Sequence, residues 1–147
     1  MKLSRKFLSE YVDIPSDVTT KQLAEDMTNV GNEYDSCEKL IPATNLVIGE
    51  VIECIDHPDS DHLHVCKVDI GSEVLDIVCG APNARAGIKV IVAKVGAKLP
   101  GGEIKAGKIR GYESNGMLCS KAELGLDNKF LSEEDHAGIH ELGLDAV

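Results

Sequence analysis

The chain has no tryptophan, and aromatic residues make up only 3 % of its 147 residues. A Cys…Trp…Cys sandwich of the immunoglobulin kind is therefore excluded. Apolar runs are short: Val90-Ile91-Val92-Ala93 is typical, far below the ~20 residues of a membrane-spanning helix. Lys2, Arg5 and Lys6 are not followed by the apolar stretch of a secretory signal. Five cysteines, Cys37, Cys54, Cys66, Cys79 and Cys119, stand at wide, irregular spacing with no C-x-x-C. That pattern points to reduced, mostly buried thiols and a cytoplasmic location, and it leaves a zinc knuckle without an anchor. Neither G-x-S-x-G nor H-E-x-x-H occurs.

Net charge is −10, which argues against nucleic acid when taken whole. Its distribution argues otherwise. Residues 1–38 carry −4, residues 39–79 carry −6 and residues 123–147 carry −6, but residues 80–122 carry +6. Arg85, Lys89, Lys94, Lys98, Lys105, Lys108, Arg110 and Lys121 supply that positive third. A merely solvated basic face stands as the alternative.

Two domains are expected, a short helical segment at 1–38 and a β domain at 39–147. In the first, Phe7, Leu8, Tyr11 and Val12 share a helical face behind Ser4 as cap. After Pro15, Thr19 and Gln22 form a capping box, Leu23, Met27 and Val30 follow at helical spacing, and Gly31 is a C-terminal stop. Two helices this short bury no core alone, so the segment must dock on something.

From Thr44 the period becomes that of strands. The expected strands are 46–55, 63–68, 73–79, 88–93, 103–109 and 117–119, punctuated by turn residues such as His57-Pro58-Asp59-Ser60 and Pro100-Gly101-Gly102. The reading is mainly β, a closed five-stranded barrel of the oligonucleotide-binding kind (OB-fold) preceded by the helical segment. Ile139 and Leu142 suggest an extra strand in the acidic tail.

Several motifs invite chemistry. His57, Asp59, Asp61, His62, His64 and Cys66 offer metal-ligand types within ten residues, but a Pro-turn separates His57 from the others and the carboxylates suit turn capping. Gly102 to Lys108 matches G-x-x-x-x-G-K, yet Ile109 stands where a phosphate loop needs Ser or Thr, and no helix follows. Cys119, beside Met117 and Leu118, reads as a buried thiol rather than a nucleophile. The stretch 105–120 is more informative. An extended strand places Lys108 and Arg110 on one face and Ile109 on the other, packed in the barrel. Ser114-Asn115-Gly116 then offers a tight turn with free hydroxyl, amide and N–H donors, a set suited to phosphodiester or sugar edges. The candidate RNA contacts are Lys98, Lys105, Lys108, Arg110, Ser114, Asn115, Met117 and Ser120; no catalytic, metal or cofactor residue is assigned. Tyr112 is the only aromatic residue between Thr44 and Ala122, so recognition should run through backbone, shape and 2′-hydroxyls of a structured RNA rather than base stacking.

Four spaced motifs in order carry a family resemblance. His57-Pro58-x-x-Asp61-x-Leu63-x-Val65-Cys66-Lys67-Val68-Asp69-x-Gly71, then Ile77-Val78-Cys79-Gly80-Ala81-Pro82-Asn83-Ala84-Arg85-Ala86-Gly87, then Val95-Gly96-Ala97-Lys98-Leu99-Pro100-Gly101-Gly102, and Arg110-Gly111-x-x-Ser114-x-Gly116-Met117-Leu118-Cys119-Ser120 resemble the tRNA-binding OB-fold domain in the β chain of bacterial phenylalanyl-tRNA synthetase. Residues 1–38, with Gly31-Asn32-Glu33, resemble the start of that chain. The resemblance implies an accessory tRNA-binding module of an α2β2 ligase that charges tRNA with phenylalanine using ATP and magnesium bound elsewhere. It implies tRNA and the α chain as partners, no membrane, and a parent chain running far beyond residue 147. A free-standing dimeric tRNA-binding protein and a docking domain without RNA contact are the alternatives. Where the family often has basic residues, this chain has His62 and His64, so charge there depends on pH.

Overall fold

A computed structural model describes residues 2–146. The chain divides after Lys39 into two units.

In the first unit, helix α1 spans Arg5–Leu8, and the Ser4 hydroxyl accepts from the Phe7 N–H as its cap. It is a single turn, shorter than the Phe7–Val12 face suggested. Tyr11 and Val12 bond back to the Leu8 carbonyl, and the Phe7 and Tyr11 rings pack at 5.1 Å. Helix α2 spans Thr20–Asn29. Thr19 caps it through the Gln22 N–H, but Gln22 turns its amide forward to Asp26 at 3.0 Å, so only half the capping box forms. Its end is a Schellman turn: Asn32 N–H bonds to Met27 O, Gly31 N–H bonds to Thr28 O, and Gly31 sits at φ +98°. Neither helix buries a residue.

The second unit is the barrel. Strand β1 (Leu46–Asp56) pairs antiparallel with β2 (His64–Asp69) on one side and β4 (Lys89–Lys94) on the other; β2 pairs with β3 (Val74–Cys79). Strands β5 (Lys98–Leu99) and β6 (Gly102–Glu103) form one small hairpin, β7 (Gly107–Ile109) and β8 (Tyr112–Ser114) another. Strand β9 (Gly116–Leu118) returns to pair with β4. The last gap, between β3 and β8–β9, has no ladder. The Asn115 N–H donates to Asp76 O at 2.8 Å, and Ser114 Oγ accepts from the Val78 N–H at 3.2 Å. These bonds bring five strands, β1-β2-β3-β9-β4, to near closure.

Alternation fills the interior with Val51, Cys66, Val68, Ile77, Val90, Val92 and Leu118. Gly49 lets the long β1 strand bend around this core: a Cβ there would stand 2.7 Å from Val68 Cγ1 and 2.9 Å from Val92 Cγ2. A β-bulge interrupts the β1–β2 ladder between Val51 and Glu53. It shifts the parity of the strand, so Cys54, not Glu53, turns toward the core. A second cluster of Ala93, Ala97, Cys119 and Leu124 packs on the opposite face of β4 and β9 from this core, with Ile104 against it.

The expected strand over 103–109 is broken into β6 and β7. Ile104 pairs its backbone with Gly96 and Ala97 and packs on that second cluster, so the chain must turn before β7 begins. The tail forms helix α3 (Glu133–Ala137), closed by a Ser132–Asp135 capping box, and strand β10 (Glu141–Leu142) on β4. Asn83 clasps the tail by both faces of its amide: Oδ1 accepts from the Ile139 N–H at 3.0 Å and Nδ2 donates to Ile139 O at 2.9 Å. Arg85 forks onto both Glu141 oxygens at 2.7 Å.

Candidate nucleic-acid interface

Two connections frame one side of the barrel, the β1–β2 loop (57–63) and the long β4–β9 connection (95–115). In OB barrels these loops flank the ligand face. Here they hold each other. His57 is buried, and its N–H closes the loop on Leu63 O at 2.9 Å. Its Nδ1 accepts from the Asp59 N–H at 3.1 Å, and its ring meets the Tyr112 ring at 4.8 Å, tilted 66°. Arg110 Nη1 donates to Asp59 O at 2.6 Å. Tyr112, the only aromatic residue between Thr44 and Ala122, therefore serves as a clasp between the two loops.

Arg110 is not on a strand. It occupies the two-residue turn between β7 and β8 with φ +47°, followed by Gly111 at +87°, the type I′ geometry of tight hairpins. The expectation that Lys108 and Arg110 share a strand face is corrected on this point. So is the packing of Ile109 inside the barrel: it is 42 % exposed, because β7–β8 is an arm outside the barrel's own ladder and all of β7 is exposed.

Between that arm, the end of β3, β9 and the tail lies a groove of about 530 Å³. Val78, Ile104, Ile109, Met117 and Ile139 give it an apolar lining; Lys105, Lys108, Ser114, Ser120, Glu123 and His136 add polar groups. Of the residues singled out in the sequence, Lys105, Lys108, Ser114, Met117 and Ser120 come together here, whereas Lys98, Arg110 and Asn115 lie outside.

The Ser114 hydroxyl and the Asn115 N–H, expected to be free donors, are engaged. Ser114 is buried; its Oγ accepts from Val78 and donates to Gly116 O at 3.3 Å. The Asn115 N–H is spent on Asp76. Ser120 and Glu123 bond reciprocally, Ser120 N–H to the carboxylate at 2.8 Å and Glu123 N–H to the hydroxyl at 3.2 Å. That S-x-x-E box was readable as a motif; the part of His136 in the groove had no local signal.

The positive third of the chain sorts itself by partner. Arg85 binds Glu141, Lys94 binds Glu73 at 3.4 Å, and Lys121 binds Asp135 at 2.8 Å. Lys89 donates to the carbonyls of Leu144 and Ala146, and Arg110 to Asp59 O. Lys98, Lys105 and Lys108 are exposed and make no ion pair among the described residues. Glu113 faces Lys108 across the β7–β8 ladder and offsets part of its field.

The histidine-rich loop diverges. His57 points inward, His62 Nδ1 bonds Asp61 at 2.9 Å and His64 Nδ1 bonds Asp56 at 3.1 Å. That bond to His62 is the main reason the Asp61 carboxyl sits below its ordinary range.

Barrel, flanking loops and groove define the class of oligonucleotide- and oligosaccharide-binding β-barrels. Within that class, the chain belongs to the family described as "Putative tRNA binding domain", which it matches over residues 46–140. It is similar to the phenylalanine–tRNA ligase β subunits of Shouchella clausii (50 % identical, covering 95 % of this chain and 18 % of the relative), Streptococcus pneumoniae (50 %, covering 100 % and 18 %) and Dickeya dadantii (49 %, covering 99 % and 18 %). The chain thus spans under a fifth of the length of these relatives.

Proposed function

We propose that this chain is a tRNA-binding accessory domain of a phenylalanine–tRNA ligase β subunit, with residues 39–147 as the binding domain and residues 1–38 as a separate helical segment. One observation carries the contact assignment: in a basic segment whose other cations are tied to protein partners, Lys98, Lys105 and Lys108 are left for phosphates. Lys105 and Lys108 rim the groove. Backbone and 2′-hydroxyl contacts hold the RNA there. Ser114, Asn115, Ser120 and Arg110 serve as the scaffold of that surface through the bonds described above.

The similarity to ligase β subunits, of which this chain spans under a fifth, is the ground for assigning the ATP and magnesium of the ligase reaction to other parts of the enzyme. An α subunit is the partner this reading entails. No described helix is long and apolar enough to cross a membrane, and a role in tRNA charging places the chain in the cytoplasm.

The test is tRNA binding by the 147-residue chain at two salt concentrations. Three phosphate contacts give a log–log salt slope of roughly −2.1 to −2.7, so a fourfold rise in salt should weaken binding roughly 20- to 40-fold. Lys105→Glu with Lys108→Glu should lower affinity and cut the slope to about −1. Equal affinity and slope for wild type and double variant would overturn the contact assignment. No binding at low salt would favour a docking domain instead.

A further inference from the structure

Cys54 and Cys66 face each other across the β1–β2 ladder, in register, with their sulfurs 3.6 Å apart. We propose that they form a reversible cross-strand disulfide, an oxidation site for small hydroperoxides built into the barrel wall. The β-bulge creates the pair, because strict alternation from Val51 would turn Cys54 outward. Ladder bonds alternate along an antiparallel pair. Counting from the His57 N–H to Leu63 O bond, Cys54 and Cys66 fall on a non-hydrogen-bonded position. There Cα atoms stand about 4.5 Å apart, at the short end of the ~4.4–6.8 Å that a disulfide spans. Closing the S–S bond thus needs side-chain rotation rather than strand movement.

The two thiols differ in access. Cys54 is half-buried and is the more accessible of the two to a small oxidant. Cys66 is fully buried and donates its S–H to Cys54; burial above all, then that contact, pushes its thiol pKa up. Cys54 is therefore the attacking sulfur and Cys66 the resolving one. The Cys54 thiolate attacks a peroxide oxygen, the O–O bond breaks, and the departing oxygen leaves as water or alcohol with the proton Cys54 gave up. Cys66 sulfur then attacks the sulfenic sulfur of Cys54. The S–O bond breaks, and hydroxide leaves as water with the Cys66 proton. Two thiols lose two hydrogens and two electrons, and one hydroperoxide is reduced. Cys79 and Cys119 are buried, and burial raises their thiols.

Treat the full chain with dilute hydrogen peroxide, block free thiols with an alkylating agent, and map peptides without reduction. The expected result is a linked Cys54–Cys66 peptide pair that thiol reductant reverses. Cys79→Ala should retain it, and Cys54→Ser, at the half-buried position, should abolish it. Wild-type mapping needs no variant to fold. Cys54 recovered as sulfinic acid with Cys66 still alkylatable, or linkage only between chains through Cys37, would overturn the proposal.

Discussion

Ser114→Ala tests whether this residue is a strut or a contact. Its hydroxyl accepts from the Val78 N–H at 3.2 Å and donates to Gly116 O at 3.3 Å, at a site 6 % exposed. Together with the Asn115–Asp76 bond it replaces the ladder missing between β3 and β9. Alanine removes the acceptor and leaves a buried N–H unpaired, which costs about 1–3 kcal/mol. Burying a methyl in place of a hydroxymethyl returns little of that. With a urea m-value of about 2 kcal/mol per M, the unfolding midpoint should fall by roughly 0.5–1.5 M with unchanged slope. Circular dichroism in urea measures it, and tRNA affinity at a temperature where both proteins are folded completes the test. Affinity should stay within about twofold, since the hydroxyl reaches no ligand. Destabilisation below about 0.5 kcal/mol, or a tenfold affinity loss at equal stability, would refute the assignment of Ser114 to barrel closure.

Asn83→Ala deletes both bonds to Ile139 and should free the tail from the barrel; limited proteolysis should cut between 131 and 146 several-fold faster while the β signal persists. Gly138→Ala should do the same by a different cause, since a Cβ there collides with Asn83 Oδ1. Acid should also release the tail. The Lys121 ammonium beside Asp135, helped by the Ser132 N–H, holds its carboxyl at about 2 against an ordinary 3.8, and Arg85 holds Glu141 below its usual value. Carboxylates depressed on folding contribute above their ordinary pKa and lose that contribution as pH falls through the folded value. Tail protection in hydrogen exchange should therefore drop between about pH 4 and pH 2, and Lys121→Met should move the Asp135 part of that loss to higher pH.

The four long strands were legible because each turns one apolar face to a single core, and a period of two survives any partner. Gly31 was legible for a similar reason: a helix end needs a residue at ease at positive φ, here +98°. What failed depended on partners distant in sequence. The +6 segment has a sign on the page but no pairing, and only the fold assigns Glu73 to Lys94 or Glu141 to Arg85, 56 residues away. Arg110 read as strand because its neighbours alternate, yet the β7–β8 arm has no core to enforce alternation, and the chain reverses at Arg110-Gly111. The bulge at Ile52 is the sharpest case. One extra residue reverses the parity of β1, sends Glu53 out to Lys67 at 3.1 Å and brings Cys54 in against Cys66. No single-strand pattern encodes that inversion, because it is a property of the pair. The same limit applies to the candidate interface: composition can place lysines near a groove, but which of them remain free is decided by every other charge the fold brings within reach.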